Sequence, residues 1–107
     1  MARLNKIDFP KPNIRIIGNK NKIDSHDSKK RYKAMRNISD VFIKRVDVRT
    51  MIMDKCDSKC TECGATDNLT VDHIISVYDC SIGKCEFEFL NSYDNLQILC
   101  RSCNSKK

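Results

Sequence analysis

Residues 60–64, Cys-Thr-Glu-Cys-Gly, and residues 100–104, Cys-Arg-Ser-Cys-Asn, each place two cysteines three positions apart. Cysteine pairs with this spacing are typical of zinc knuckles, in which a tight turn directs two sulfurs at one ion. Gly64 permits such a turn because it has no side chain. Two pairs supply the four thiolates of a tetrahedral site, so the sequence favours structural Zn²⁺ over free thiols or disulfides. The predicted ligands are Cys60, Cys63, Cys100 and Cys103.

The other three cysteines, Cys56, Cys80 and Cys85, have no such spacing and are expected to be small buried residues, although Cys80 and Cys85 flank a predicted turn and could approach each other. The total of seven cysteines is odd, and no apolar segment of signal-peptide or membrane-spanning length is present. Both features argue against a small secreted disulfide protein and against a membrane protein. We expect a cytoplasmic protein.

The segments between and after the knuckles indicate an α+β fold. Residues 69–75 read as a strand because β-branched residues dominate them. Residues 78–90 predict a hairpin with its turn at residues 81–84. From residue 94 to residue 104, a capping residue precedes apolar positions at helical spacing, which predicts a helix that carries the second cysteine pair.

Charge divides the chain into two parts. Residues 1–50 carry a net charge of +9, whereas residues 51–107 carry a net charge of −3. Residues 1–27 are expected to be extended and residues 28–36 to be helical. A second helix is expected over residues 41–54, and Ser39 or Asp40 could cap it. Its predicted core residues are Phe42, Val46 and Met53. We predict a basic N-terminal arm, residues 1–39, and a domain at residues 40–107. The arm suits a polyanionic partner or is a solvated tail.

The chain has two histidines, His26 and His73. His73 lies on the predicted strand beside Asp72, and the second knuckle returns the chain to that strand. A single strand histidine is usually structural, but an adjacent carboxylate and a nearby metal site favour a catalytic role. His26 lacks such neighbours and is expected at the surface.

Several elements, taken in order, resemble the HNH endonuclease motif in its zinc-knuckle form: residues 60–63, residues 71–75 (Val-Asp-His-Ile-Ile) and residues 95–107. The resemblance covers about residues 54–107. It implies a ββα-metal fold, in which two antiparallel strands and a helix surround one divalent ion while the zinc site lies apart. The fold predicted is therefore a small ββα-metal module held together by a four-cysteine zinc site and preceded by a basic, partly helical arm.

Carried over by position, the resemblance implies that His73 is the general base and that Asp72 and Asn104 bind catalytic Mg²⁺ or Mn²⁺. Asn95 would tie down the loop between the strands and help to orient His73. Asn104 stands where many relatives have histidine, which makes this chain an H-N-N variant. The 21 residues from Ile74 to Asp94 enlarge the connection between the predicted strand and Asn95.

The resemblance implies a metal-dependent DNA endonuclease that hydrolyses phosphodiester bonds by nicking or double-strand cleavage, and we expect DNA to be bound mainly through backbone phosphates. The alternative is a noncatalytic zinc-stabilised module that binds nucleic acid, for which Asn104 is the main argument. Family members of this size resemble nucleases of bacteriophages and mobile elements. A homodimer, a place in larger phage or restriction machinery, and the cytosol of a bacterium or infected host are all compatible with that resemblance.

Overall fold

The computed structural model of the protein describes residues 8–11, 13 and 22–107. Most of the predicted extended arm, residues 1–27, therefore lies outside the described residues. The elements in chain order are α1 (Ser28–Ile43), α2 (Val46–Lys55), β1 (Leu69–His73), α3 (Val77–Ser81), α4 (Phe87–Leu90), a 3-10 helix (Tyr93–Asn95), β2 (Leu96–Cys100) and α5 (Arg101–Lys106). None of the helices in this part of the chain is long and apolar enough to span a bilayer.

The two strands form an antiparallel pair whose register places Leu69 opposite Cys100 and His73 opposite Leu96. Helix α5 follows β2 without an intervening loop. A two-stranded sheet is marginal in water, so its stability depends on what packs against it. The α+β class and the ββα arrangement expected from the sequence are confirmed.

Helix α1 begins after Asp27, whose carboxylate accepts hydrogen bonds from the backbone N–H groups of Lys29 (3.0 Å) and Lys30 (3.3 Å). The predicted end near residue 36 is wrong because the helix continues to Ile43. Ile38 and Phe42, one helical turn apart, are 0% and 4% exposed, and this apolar face keeps the helix on the core. The expected boundary between residues 39 and 40 falls inside α1.

Helices α1 and α2 share one core with the two strands. Its buried members come from α1, α2, β1 and β2: Phe42, Val48, Ile52, Val71, Leu96 and Ile98. Met53 is partly buried against this core, whereas Val46, also expected there, is 80% exposed at the first position of α2. A second cluster joins α1 to the region after β1 and consists of Met35, Val77, Cys80 and Leu90.

Two predictions between the knuckles are wrong. The expected hairpin at residues 78–90 is two short helices, of which α3 is capped by Ser76, whose Oγ accepts from the N–H of Asp79 at 3.0 Å. The expected helix over residues 94–104 is helical in α5 only from Arg101 onward, because residues 96–100 form strand β2. Leu96 and Ile98 pack on the helices while Leu99 packs on the knuckle, so β2 is buried on both faces and shows no alternation of polar and apolar residues.

Candidate functional site

The first knuckle is a tight turn that is hydrogen-bonded to itself and to β2. The N–H of Gly64 donates to the carbonyl of Cys60 at 2.9 Å, and Gly64 has a φ of +78°, as expected from the sequence. The N–H of Thr61 donates to the carbonyl of Ile98 at 2.9 Å. These bonds fix the first cysteine pair against the strand that ends at the second pair.

The sulfurs of Cys60, Cys63, Cys100 and Cys103 all lie within 4.8 Å of one another. The Sγ atoms of Cys63 and Cys100 are 3.7 Å apart. In a tetrahedral site with bonds of about 2.3 Å, neighbouring sulfurs are about 3.8 Å apart, so this cluster fits Zn²⁺. Cys100 is also the N-cap of α5, because its Sγ accepts from the N–H of Cys103 at 3.4 Å.

The environment of the cluster already favours one thiolate. Burial favours the neutral thiol of Cys60 and opposes the shift, but backbone N–H groups directed at its sulfur outweigh burial and lower the pKa of Cys60 to about 6. The pKa of Cys103 is raised to about 12, chiefly by the adjacent sulfur of Cys100. Sulfurs that compete for protons in this way are the groups that a zinc ion would deprotonate together.

The remaining cysteines do not join this cluster. Cys80 is 4% exposed and packs in the second apolar cluster, with Cys85 partly buried beside it. The Cys80 thiol donates to the carbonyl of Cys85 at 3.3 Å, and burial raises the pKa of Cys80 to about 12. The expected approach of these two residues is therefore confirmed. Cys56 is half-buried and accepts a long contact of 3.8 Å from the hydroxyl of Thr61.

Asp72 and His73 end β1 and lie next to the end of α5. The Oδ2 atom of Asp72 accepts from Gln97 Nε2 at 3.0 Å and from Lys107 Nζ at 2.7 Å. Lys107 also donates to the carbonyl of His73. Only 11% of the Asp72 side chain is exposed. The carboxylate is therefore oriented by its strand partner and by a cation that follows α5.

His73 is 8% exposed, and its Nε2 lies 2.8 Å from Oδ1 of Asn91. Since the amide oxygen is an acceptor, Nε2 carries a hydrogen in this arrangement and Nδ1 keeps its lone pair. Burial lowers the pKa of His73 below its ordinary value of 6.5, and the bond to Asn91 partly opposes this shift. The ring is therefore neutral near pH 7.

The side chain of Asn95 forms hydrogen bonds with backbone groups near both ends of the connection between the strands. Its Oδ1 accepts from the N–H of Ile75 at 2.8 Å, and its Nδ2 donates to the carbonyls of Leu90 (2.8 Å) and Ile75 (3.1 Å). Its own carbonyl accepts from the N–H of Ile74 at 2.8 Å, directly after His73. In the described residues Asn95 thus bonds the backbone after His73, while Asn91 contacts the ring.

An open cleft of about 630 Å³ brings together three of the four predicted site residues, since Asp72, His73 and Asn104 line it and the buried Asn95 does not. Asp72 and Asn104 offer carboxylate and amide oxygens, the donors that Mg²⁺ and Mn²⁺ prefer, so the residues fit a hard divalent cation. Helix α1 also contributes to the lining of this cleft, through Arg36, Asp40 and Ile43. Neither Arg36 nor Asn91 was predicted as a site residue from the sequence.

Residues 60–107 match the family model described as HNH endonuclease. This segment is an HNH domain. Its two strands, the helix α5 and the four-cysteine cluster are the parts that the family resemblance implied. A search of curated proteins and a search of solved structures give no significant match. The match begins at the first zinc-knuckle cysteine, so helices α1 and α2 lie outside it.

Proposed function

We propose that the HNH domain is a metal-dependent DNA endonuclease that hydrolyses phosphodiester bonds, by nicking or by double-strand cleavage. The observation that carries this proposal is that Asp72, His73 and Asn104 line a single cleft within the segment that matches the HNH endonuclease family. A carboxylate, an imidazole and an amide in one open cleft suit metal-assisted hydrolysis better than nucleic-acid binding alone.

His73 acts in this proposal as the general base. Its Nε2 is engaged by Asn91, so Nδ1 is the atom that would accept a proton from the attacking water. Burial lowers its pKa, which keeps the ring in the unprotonated form that a base requires. Asn95 supports this role by bonding the backbone of Ile74 and Ile75, directly after the base.

Asp72 and Asn104 would hold the divalent ion, Mg²⁺ or Mn²⁺. When bound, such an ion polarises the phosphodiester and stabilises the charge that develops on the leaving oxygen. Gln97 supports the ligand role of Asp72 by fixing one of its oxygens across the sheet. Asn104 is placed by α5, immediately after Cys103.

The four cysteines would hold structural Zn²⁺ apart from the chemistry. Helix α5 has six residues, which is too short for stability in isolation, so its position depends on attachment at its ends. Zinc at Cys100 and Cys103 would provide that attachment at the first turn. The zinc would therefore hold the helix that presents Asn104 to the cleft.

DNA would be bound mainly through its backbone phosphates, because the basic residues are concentrated in residues 1–50 and carry a net charge of +9. The described part of one copy contains one set of Asp72, His73 and Asn104, so double-strand cleavage would need two copies or two successive cuts. We infer a cytosolic location from the four-thiolate site, since thiol ligands persist in a reducing compartment. A place in phage or restriction machinery would fit this activity.

The proposal is tested with supercoiled plasmid, purified zinc-loaded protein and either Mg²⁺ or Mn²⁺. We expect nicked or linear product, none of it in EDTA, and a rate at least about 100-fold lower for His73→Ala because general-base catalysis contributes about that much or more. His26→Ala is the matched control, since it removes the other histidine, which is exposed. This control is expected to cleave at the wild-type rate.

Zinc content and the circular dichroism spectrum are measured for each variant, so that loss of folding is not mistaken for loss of the base. If folded, zinc-loaded wild-type protein shifts DNA in a gel but leaves it intact with both metals, the chain is a noncatalytic nucleic-acid-binding module. Equal cleavage by wild type and by His73→Ala would remove His73 from the chemistry.

A further inference from the structure

One wall of the cleft comes from α1, which lies outside the matched residues 60–107. The position of this helix is fixed by packing. Met35 is 2% exposed in the second apolar cluster, and Arg31 donates to the carbonyl of Ser81 at the end of α3. The rings of Tyr32 and Tyr78 meet edge to face with centroids 6.0 Å apart. Because α3 follows β1 closely, these contacts also fix α1 relative to His73.

Arg36 follows Met35 on this helix and faces the cleft. Its Nε lies 3.3 Å from Asp40, and its Nη1 donates to the hydroxyl of Tyr32 at 3.2 Å. The side chain of Arg36 is 56% exposed. A guanidinium has five N–H donors, and these two bonds use two of them within the described part of the chain. The guanidinium is therefore oriented and still has donors for a ligand.

The charges that line the cleft single out Arg36. Lys107, the other cation of the lining, is engaged by the carboxylate of Asp72 and the carbonyl of His73. Arg36 has only the half-exposed carboxylate of Asp40 as its ionic partner among the described residues. A surface pair of this kind is weak, so an incoming anion can compete for the guanidinium.

We propose that Arg36 binds a backbone phosphate of the DNA strand that lies in the cleft, with Asp40 and Tyr32 holding the guanidinium in position. This inference rests on the proposed function. Arginine suits the role because its planar fork can bind two phosphate oxygens at once. The helix outside the HNH match would thereby contribute to substrate placement near His73.

The test compares wild type with Arg36→Ala, Arg36→Lys and Lys59→Ala on a short DNA duplex with Mg²⁺ or Mn²⁺. Lys59 is the matched control because it is an exposed cation between α2 and the knuckle, outside the cleft lining. We expect kcat/KM to fall about 10- to 100-fold for Arg36→Ala, the range of a charged hydrogen-bonded contact. Arg36→Lys should retain part of the activity, and Lys59→Ala should change kcat/KM by less than about threefold at moderate salt.

A second arm uses duplexes in which a single phosphate near the cut is replaced by an uncharged methylphosphonate. At the phosphate that Arg36 binds, the replacement should weaken DNA binding and cleavage by wild type. It should cause no further loss of binding or cleavage in Arg36→Ala. Equilibrium binding in EDTA is measured on the same duplexes, which tests the contact without cleavage. Thermal midpoints confirm that each variant is folded.

The outcomes separate the two proposals. If wild type binds DNA without cutting it, the proposed function fails, and the binding arm alone decides whether Arg36 contacts a phosphate. If wild type cuts DNA and Arg36→Ala behaves like Lys59→Ala, the inference is overturned and the endonuclease proposal stands. The inference would also be overturned if the loss of kcat/KM caused by Arg36→Ala simply added to the loss caused by the methylphosphonate at every position. Arg36 would then be only a helix-surface partner of Asp40.

Discussion

The HNH domain at residues 60–107 and the helical pair α1 and α2 are held together by different forces. The domain adds four clustered sulfurs and polar side chains that bond backbone groups, notably Asn95, to the apolar contacts of its two strands. The helical pair depends on buried apolar residues such as Ile38 and Ile52, which are fully buried. The residues that match the HNH family and the helix that completes the cleft are therefore encoded in separate parts of the chain.

The two regions nevertheless share one core. Phe42, Val48 and Ile52 from the helices pack with Val71, Leu96 and Ile98 from the strands. A perturbation that begins in either region should therefore reach the other. Substitutions in the four-cysteine cluster, in the helical core and beside the proposed base test how far this coupling extends.

The largest effect is expected from removing the zinc site. Cys60→Ser should abolish zinc retention and the cooperative thermal transition of the HNH domain, since structural zinc contributes about 10 kcal/mol or more to folding in small zinc modules. Metal analysis and a melt followed by circular dichroism measure both effects. Cys56→Ser is the control, because Cys56 is half-buried and outside the cluster. An unchanged midpoint for Cys60→Ser would show that the core holds the domain without zinc.

An intermediate effect is expected from the helical region. Ile52→Ala should lower the free energy of unfolding by about 2–5 kcal/mol, because it leaves a cavity where α2 packs on the sheet. Val46→Ala is the control and should change stability by less than about 0.5 kcal/mol, since Val46 is 80% exposed. Urea unfolding of zinc-loaded protein should show one transition for both variants. Two separate transitions for Ile52→Ala would mean that the regions fold independently.

The smallest effect concerns the orientation of His73, the proposed general base. Asn91→Ala removes the acceptor 2.8 Å from His73 Nε2 and should lower kcat about tenfold with little change in KM, as expected when a supporting hydrogen bond is lost. Asn91→Asp keeps an acceptor oxygen at this position and should restore most of the rate. A loss of rate accompanied by an equal loss of stability in both variants would assign Asn91 a structural role only.

The sequence was most informative where local chemistry decides the structure. The spacing of the cysteines predicted the four-sulfur cluster, and the β-branched run around Val71 predicted β1. Strand β2 was predicted as a helix because Leu96, Ile98 and Leu99 are apolar on both faces, and the periodicity that separates a strand from a helix is then lost. The two short helices after β1 depend on a serine cap and on Leu90, whose burial arises from tertiary packing.

The site was predictable only in part for a related physical reason. Asp72, His73 and Asn104 belong to the motif, and the cleft contains all three. Asn91 contacts His73 from an enlarged connection whose path the sequence does not determine, and Arg36 reaches the cleft because α1 packs on α3. Contacts between distant segments depend on the path of the whole chain, so a local pattern carries no sign of them.

Helix α5 fixes the angular relation between the four-cysteine cluster and the cleft. Cys103 and Asn104 are consecutive residues on this helix, and successive residues of an α-helix are rotated by about 100° around its axis. The same step directs the cysteine toward the sulfur cluster and the asparagine toward the cleft. A single residue inserted between them would turn the amide of Asn104 out of the cleft, although all four cysteines would still be present. The angular positions of Cys103 and Asn104 around the axis of α5 therefore matter as much as the identities of the two side chains.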